Sequence, residues 1–223
     1  MSSTNRSNAR DEHVADYYVT PIADIELFLK EFNKRINFNW NTAKIIDCCA
    51  GGNPEYKDKD GIKDAYHPMS YPTAIHNMCS TIGGLFTYDI REDSFADFKE
   101  DYLKTKLDYQ PDMVITNPPF NIATDIIEKA LSDIKDGGYV IMLLRLNFFG
   151  SQLREEFFSK YIPEWCFVHH IRIGFTDKKD DNGYTVINKK TGIPKHGSTD
   201  SIEYAHYVFR KNIKPDYTKL VII

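Results

Sequence analysis

Residues 113–120 read Met-Val-Ile-Thr-Asn-Pro-Pro-Phe, an apolar run that passes directly into a polar, proline-rich segment. Its apolar start predicts a buried β-strand that ends where the polar residues begin. The two consecutive prolines fix φ near about −65° and lack N–H donors, which favours a rigid corner. Asn117 and Phe120 flank this corner and can offer a hydrogen-bond acceptor and an aromatic face to a flat amine. The stretch therefore predicts a catalytic loop rather than a simple turn.

The composition indicates one folded domain. The chain has 223 residues, of which 42% are hydrophobic, and this is enough for a core without disulfides. Its apolar runs are too short to span a bilayer and its polar start lacks a signal-peptide core, so we expect a cytoplasmic protein with no membrane partner. The four cysteines form no C-x-x-C pair, which disfavours a zinc knuckle. The formal charge of −4 means that a nucleic-acid role requires a local basic patch or a second subunit.

Helical and strand-like patterns alternate along the chain. The spacing predicts helices over residues 22–32, 71–78, 122–134 and 152–161, and in the first of these Ile25, Phe28, Leu29 and Phe32 recur at helical spacing as its apolar face. It predicts strands over residues 43–47, 85–89, 112–116, 139–145, 166–173, 202–209 and 219–223. Thr20 as N-cap and Pro21 as the first helical residue would start the first helix. This alternation indicates a three-layer α/β sandwich.

A second motif follows the first predicted strand. Residues 47–53 read Asp-Cys-Cys-Ala-Gly-Gly-Asn, so the strand ends in an acid and continues into a glycine-rich turn. Ligands of doubly wound sheets bind outside the carboxyl ends of strands, where glycines allow close approach of the backbone. The pattern is not G-x-G-x-x-G, which argues against a dinucleotide. Asp89 ends the next predicted strand in the same way, and Asp101 follows it.

These residues carry a family resemblance. Residues 117–120 match the catalytic motif of DNA adenine-N6 methyltransferases, which use S-adenosylmethionine. Residues 47–52 resemble motif I of that family, and residues 17–21 resemble its motif X. The tail 199–205 is similar to small enzymes of bacteriophages and prophages. The resemblance implies a single Rossmann-like class I methyltransferase domain over residues 1–223, with a mixed, mostly parallel seven-stranded sheet.

The resemblance also implies roles for individual residues. The catalytic residues would be Asn117, Pro118, Pro119 and Phe120, with two oxygen acceptors on the adenine amine and a ring stacked on a base flipped out of duplex DNA. The cofactor-binding residues would be Tyr17, Thr20, Asp47, Cys48, Ala50, Gly51, Asp89, Asp101 and Asn117. The substrate-binding residues would be Phe120, Asn147, Phe148, Lys178, Lys179, Lys189 and Lys190.

Some of these assignments have alternatives. Asn147 and Phe148 can line the pocket of the flipped base or pack beneath it. Residues 176–200 are a candidate DNA-recognition hairpin or a solvated loop, and residues 1–14 are expected to be a loose arm. A full recognition domain is missing from the sequence, so a homodimer or a short recognition site is a hypothesis. His169 and His170 would face opposite sides of a strand, and we expect no metal site there.

Other activities compete with DNA adenine methylation. RNA adenine methylation uses the same chemistry, and glutamine-N5 protein methyltransferases have a similar loop. The latter carry a helical domain ahead of motif I, and too few residues precede Asp47 for one. Cytosine-C5 methylation needs a cysteine after a proline, which this sequence lacks. A catalytically idle binding module stays open, because residues 48–53 depart from motif I.

Overall fold

The computed structural model describes residues 19–53, 67–175, 186, 188–190, 195, 197 and 201–223. Its helices are α1 (Ile22–Arg35), α2 (Ser70–Met78), α3 (Ala123–Asp133) and α4 (Glu155–Lys160). Its strands are β1 (Lys44–Asp47), β2 (Gly51–Asn53), β3 (His67–Met69), β4 (Gly84–Thr87), β5 (Met113–Thr116), β6 (Tyr139–Arg145), β7 (Trp165–Val168), β8 (Tyr204–Arg210) and β9 (Lys219–Ile222). The predicted arm 1–14 and most of residues 176–200 lie outside the described residues.

Seven strands form the main sheet in the order β4-β1-β5-β6-β8-β7-β9. Strand β1 pairs in parallel with both β4 and β5, and β5 pairs in parallel with β6. Strand β8 runs antiparallel to both of its neighbours, whereas β9 is parallel to β7. The prediction of a mixed, mostly parallel seven-stranded sheet is therefore confirmed.

Apolar residues cover both faces of this sheet and create two cores. Along β1, Ile45 packs with α1 and α2 on one face, and Ile46 packs with α3 on the other. Successive side chains of a strand point to opposite faces, so an unbroken apolar run such as β6 serves both cores. The result is the expected three-layer sandwich. Among the described helices, none combines the length and apolarity needed to cross a membrane.

Helix α1 buries the face that its periodicity predicts, and it extends three residues further than expected, to Arg35. The buried side chains are Ile25, Phe28, Leu29 and Phe32. The predicted cap is wrong, because Pro21 has ψ of 128° and is itself the N-cap residue, with no side-chain cap. The Thr20 hydroxyl is directed to Asn117 instead.

Other boundaries differ because pairing partners run out. Strand β7 ends at Val168 rather than at residue 173, and the backbone N–H groups of His169 and His170 still donate to Tyr204 and Ile223. Among the residues that the structure describes, no strand continues beside the chain beyond that point. Residues 67–69, for which the sequence predicted no strand, pair antiparallel with Gly51–Asn53 as a separate two-stranded sheet.

We predict that Phe28→Ala lowers the free energy of unfolding by about 3–5 kcal/mol, because it leaves a cavity in the core. The Phe28 ring is fully buried and stacks on the His206 ring at 4.0 Å between centroids. Its neighbour Leu27 is 37% exposed, so Leu27→Ala should cost less than about 1 kcal/mol. Urea denaturation of the two variants measures this, and equal losses would contradict the packing of α1.

Candidate functional site

A cleft of about 310 Å³ lies at the carboxyl ends of β1, β4 and β5. Parallel pairing brings these ends to one edge of the sheet, as in other doubly wound folds. Eight predicted site residues line the cleft: Thr20, Cys48, Ala50, Gly51, Asp89, Asp101, Asn117 and Pro119. The two separate motifs of the sequence thus meet at one place.

The glycine-rich turn after β1 forms one wall. Gly51 and Gly52 have φ of +66° and +80°, which only glycine adopts readily. A Cβ on Gly52 would lie 2.7 Å from Cδ2 of Phe95, so a side chain has no room there. The Gly51 N–H donates to Oδ2 of Asp89 at 2.8 Å, which fastens the turn to the end of the neighbouring strand.

Two acids of the cleft are held by backbone donors. Asp89 is buried, and its Oδ1 accepts the Arg91 N–H at 2.8 Å. Asp101 accepts the Leu103 N–H at 3.1 Å and pairs with Lys104 at 2.9 Å. Each carboxylate oxygen has more than one acceptor site, so both groups can still accept ligand hydroxyl or amine protons.

Asp47 lies beneath the cleft and does not line it. It is 1% exposed, and its Oδ1 accepts the Cys49 N–H at 3.3 Å. Its Oδ2 is buried and makes no hydrogen bond. Burial raises the pKa of Asp47 to about 7, against the opposing effects of the Thr116 hydroxyl and the Cys49 N–H.

The loop after β5 presents Asn117 to the cleft. Its Nδ2 donates to Oγ1 of Thr20 at 3.1 Å, and its Oδ1 is buried without a partner. No backbone N–H of the described residues donates to the Pro118 carbonyl. The Pro119 carbonyl accepts the Ile122 N–H at 3.2 Å, which fixes the end of the corner. The loop therefore holds two oxygen acceptors without protein donors.

The predicted substrate residues are dispersed. The Phe120 ring lies outside the cleft lining, 6.0 Å from the Tyr204 ring and 4.9 Å from the Arg145 guanidinium carbon. Phe148 is buried among the rings of Phe157, Phe158 and Tyr207, so the structure favours the alternative of packing beneath the site. Asn147 is exposed in the 3-10 turn after β6.

Three further predicted residues lie outside the described part of the chain: Tyr17, Lys178 and Lys179. Lys189 and Lys190 are exposed in a turn. The described structure therefore shows no contact between these lysines and the cleft, and their role stays a prediction.

The start of α2 contributes cleft residues that the sequence did not assign. Ser70 and Tyr71 line the cleft, and the Tyr71 hydroxyl hydrogen-bonds to Nε2 of His206 at 2.9 Å. His206 bonds in turn to His169 at 2.9 Å. Burial lowers the pKa of His169 to about 4, so both imidazoles are neutral at pH 7. Within the described ranges no three His, Cys, Asp or Glu side chains are grouped to hold a metal ion.

No family model and no curated protein sequence matches the chain. Solved structures of class I methyltransferases do match. A protein from Listeria monocytogenes, assigned to the class I S-adenosylmethionine-dependent methyltransferases, has a TM-score of 0.57 and 13% identity over 92% of this chain and 65% of its own. An S-adenosylmethionine-dependent O-methyltransferase from Thermotoga maritima has a TM-score of 0.49 and 12% identity over 87% of this chain and 66% of its own. The chain thus spans less than two thirds of the Listeria protein, and that likeness shows a shared Rossmann-like fold.

We predict that Asp47→Asn changes how stability depends on pH. The folded pKa of about 7 exceeds the unfolded value of about 3.9, so Asp47 stabilises the folded wild type less as pH rises between these values. Asn does not titrate, and His169 and His206 titrate in both proteins. As pH rises between these two pKa values, the variant should therefore gain stability relative to the wild type by up to about 1.4 kcal/mol per pH unit.

Urea denaturation at pH 5 and pH 8 measures this shift. The exposed Asp125 provides the control, because Asp125→Asn removes a carboxylate from a solvated helix start. Parallel pH profiles of the wild type and Asp47→Asn would show that Asp47 is ionised throughout.

Proposed function

We propose that this chain transfers a methyl group from S-adenosylmethionine to the exocyclic N6 amine of adenine in DNA. The observation that carries the proposal is the Oδ1 atom of Asn117, a residue that lines the cleft: this oxygen is buried and has no hydrogen-bond donor. A buried acceptor without a partner is costly, so its presence in a cleft points to a donor on a ligand.

The cleft suits the cofactor. The fold is shared with a protein assigned to the S-adenosylmethionine-dependent class I methyltransferases, and the positive φ angles of Gly51 and Gly52 let the backbone turn along the cleft wall. Asp89 and Asp101 both line the cleft, where Asp89 would accept from the ribose hydroxyls and Asp101 from an adenine amine. The bound cofactor supplies an electrophilic methyl group on a sulfonium centre.

The loop residues would act on the amine. The lone pair of an adenine amine is delocalised into the ring, which makes the nitrogen a weak nucleophile. If Asn117 Oδ1 and the Pro118 carbonyl accept its two N–H bonds, electron density at nitrogen increases and its lone pair turns toward the methyl group. The rigid proline corner keeps these acceptors in place, so positioning and a preorganised polar site supply most of the rate.

Phe120 would stack on the base after it leaves the helix. A base inside a duplex cannot reach a cleft at the sheet edge, and flipping it out costs roughly a few kcal/mol. The Phe120 ring is half-buried beside the loop, so it can offer a fixed surface to the base. Stacking on an aromatic side chain returns about 1–3 kcal/mol per base.

Incubation with labelled cofactor and duplex DNA, single-stranded DNA, RNA or a protein extract tests the proposal. Digestion of each product to nucleosides or amino acids identifies the methylated group. We expect N6-methyladenine from DNA. N6-methyladenine from RNA alone would show that the substrate is RNA and not DNA. Labelled glutamine would show that the substrate is a protein and not a nucleic acid. Absence of both cofactor binding and methyl transfer would favour an idle binding module.

We predict that Asn117→Ala lowers turnover by at least about 10²-fold, because one of the two acceptors on the amine is lost. Cofactor affinity, measured by calorimetry, should change little. Thr20→Val should lower turnover less, since it removes only the group that orients the amide at 3.1 Å. Asn77→Ala, exposed on α2, is the control and should keep wild-type turnover. Normal turnover in Asn117→Ala would contradict the role of Asn117 as an acceptor on the amine.

A further inference from the structure

Arg145, the last residue of β6, lies beside the loop that carries Asn117 and Phe120. Its guanidinium carbon is 4.9 Å from the centre of the Phe120 ring. The side chain is partly buried, and its Nε is fully buried without a hydrogen-bond acceptor. Within the described residues, no carboxylate forms an ion pair with it. A cation without an anionic partner thus stands next to the proposed catalytic loop.

Other arginines that lie over rings in the described structure are differently placed. Arg154 lies over the Phe148 ring and donates to the Phe148 carbonyl at 2.9 Å. Arg210 lies over Tyr139 and donates to the Gly137 carbonyl at 3.0 Å. Arg35 lies over Phe167 and pairs with Glu31 at 2.6 Å. Stacking on a ring therefore does not itself leave a guanidinium unpaired, and the situation of Arg145 needs its own explanation.

The chemistry of the missing partner follows from the guanidinium. Its planar fork of N–H donors fits the oxygens of a phosphate or carboxylate, and burial strengthens such a charge-assisted pair. The ring holds the fork in one plane, so little conformational freedom is lost when an anion binds. A chain with a formal charge of −4 must concentrate its phosphate contacts at a few cations. Arg145 is such a cation beside the loop.

We propose that Arg145 binds a backbone phosphate of the strand that carries the target base. This inference rests on the proposed function and narrows its substrate class. Phe120 would then contact the base while Arg145, stacked on the same ring, holds the phosphate next to it. The same contact would select a nucleic-acid strand over a protein glutamine, because a peptide backbone offers no anion at that place.

Arg145→Gln tests this role, with Arg145→Lys as the graded variant and Arg35→Gln as the control. Arg35 lies at the end of α1 that is far from the cleft, and Arg35→Gln removes the same positive charge as Arg145→Gln. We expect Arg145→Gln to weaken DNA binding at least about tenfold at low salt. The slope of log affinity against log salt concentration should decrease in magnitude by about 0.7–0.9, which corresponds to the loss of one phosphate contact. Arg145→Lys should restore part of both, and Arg35→Gln should alter neither.

Cofactor titration of each variant shows whether the cleft is intact, since Arg145 does not line it. A second measurement alters the DNA instead of the protein. In the oligonucleotide that the wild type methylates, the phosphates flanking the target adenine are replaced by neutral methylphosphonates. This should weaken wild-type binding about as much as Arg145→Gln does, with no further loss when both changes are combined.

The outcomes separate the two proposals. Methylation of DNA by the wild type with an unchanged salt slope in Arg145→Gln would overturn the role of Arg145 alone. Additive losses from the variant and the methylphosphonates would do the same, because the two changes would then act at different contacts. Methylation of protein glutamine instead of nucleic acid would overturn both proposals.

Discussion

The parallel pairing of β1 with β4 on one side and β5 on the other is the constraint on which the site depends. In this register Ile46 lies opposite Phe86 and Val114, so the carboxyl ends of the three strands lie nearly level with one another along the strand direction. Parallel strands point the same way, and the residues that follow them must meet at one edge. Asp89 and Asn117, far apart in sequence, thus line one cleft. A slip of β5 by one residue would exchange its two faces and displace Asn117 by about 3.3 Å along the strand direction.

Polar atoms without partners concentrate at this edge. Asp47 Oδ2, Thr116 Oγ1 and Asn117 Oδ1 are all buried and make no hydrogen bond. Each such atom costs about 1–3 kcal/mol, which a core residue would not incur. The two apolar cores on either face of the sheet supply the stability that tolerates this cost. The unpaired polar atoms where β1 and β5 end support the proposed ligand site independently of any likeness to other proteins.

Local patterns predicted much of this arrangement. The periodicity of α1 identified its four buried residues, and the apolar run of β6 matched the strand bounds at both ends. The pairing of His67–Met69 with the glycine turn escaped prediction, because a three-residue strand has no period of its own. Phe148 was ambiguous for a related reason: whether an aromatic side chain faces a pocket or the core depends on its neighbours Phe157 and Tyr207, which are distant in sequence.

The hydrogen bond between Thr20 and Asn117 shows how distant sequence can determine chemistry. An amide presents either an oxygen acceptor or an NH₂ donor, and the two groups have nearly the same shape. With Nδ2 on the Thr20 hydroxyl at 3.1 Å, Oδ1 is the atom without a donor. The opposite orientation would set donor against donor when an amine enters. The Thr20 hydroxyl can accept or donate, so its bond to Nδ2 is compatible with the amide orientation that the proposed amine substrate requires. Thr20, two residues before α1, is therefore joined to the loop after β5 by this hydrogen bond.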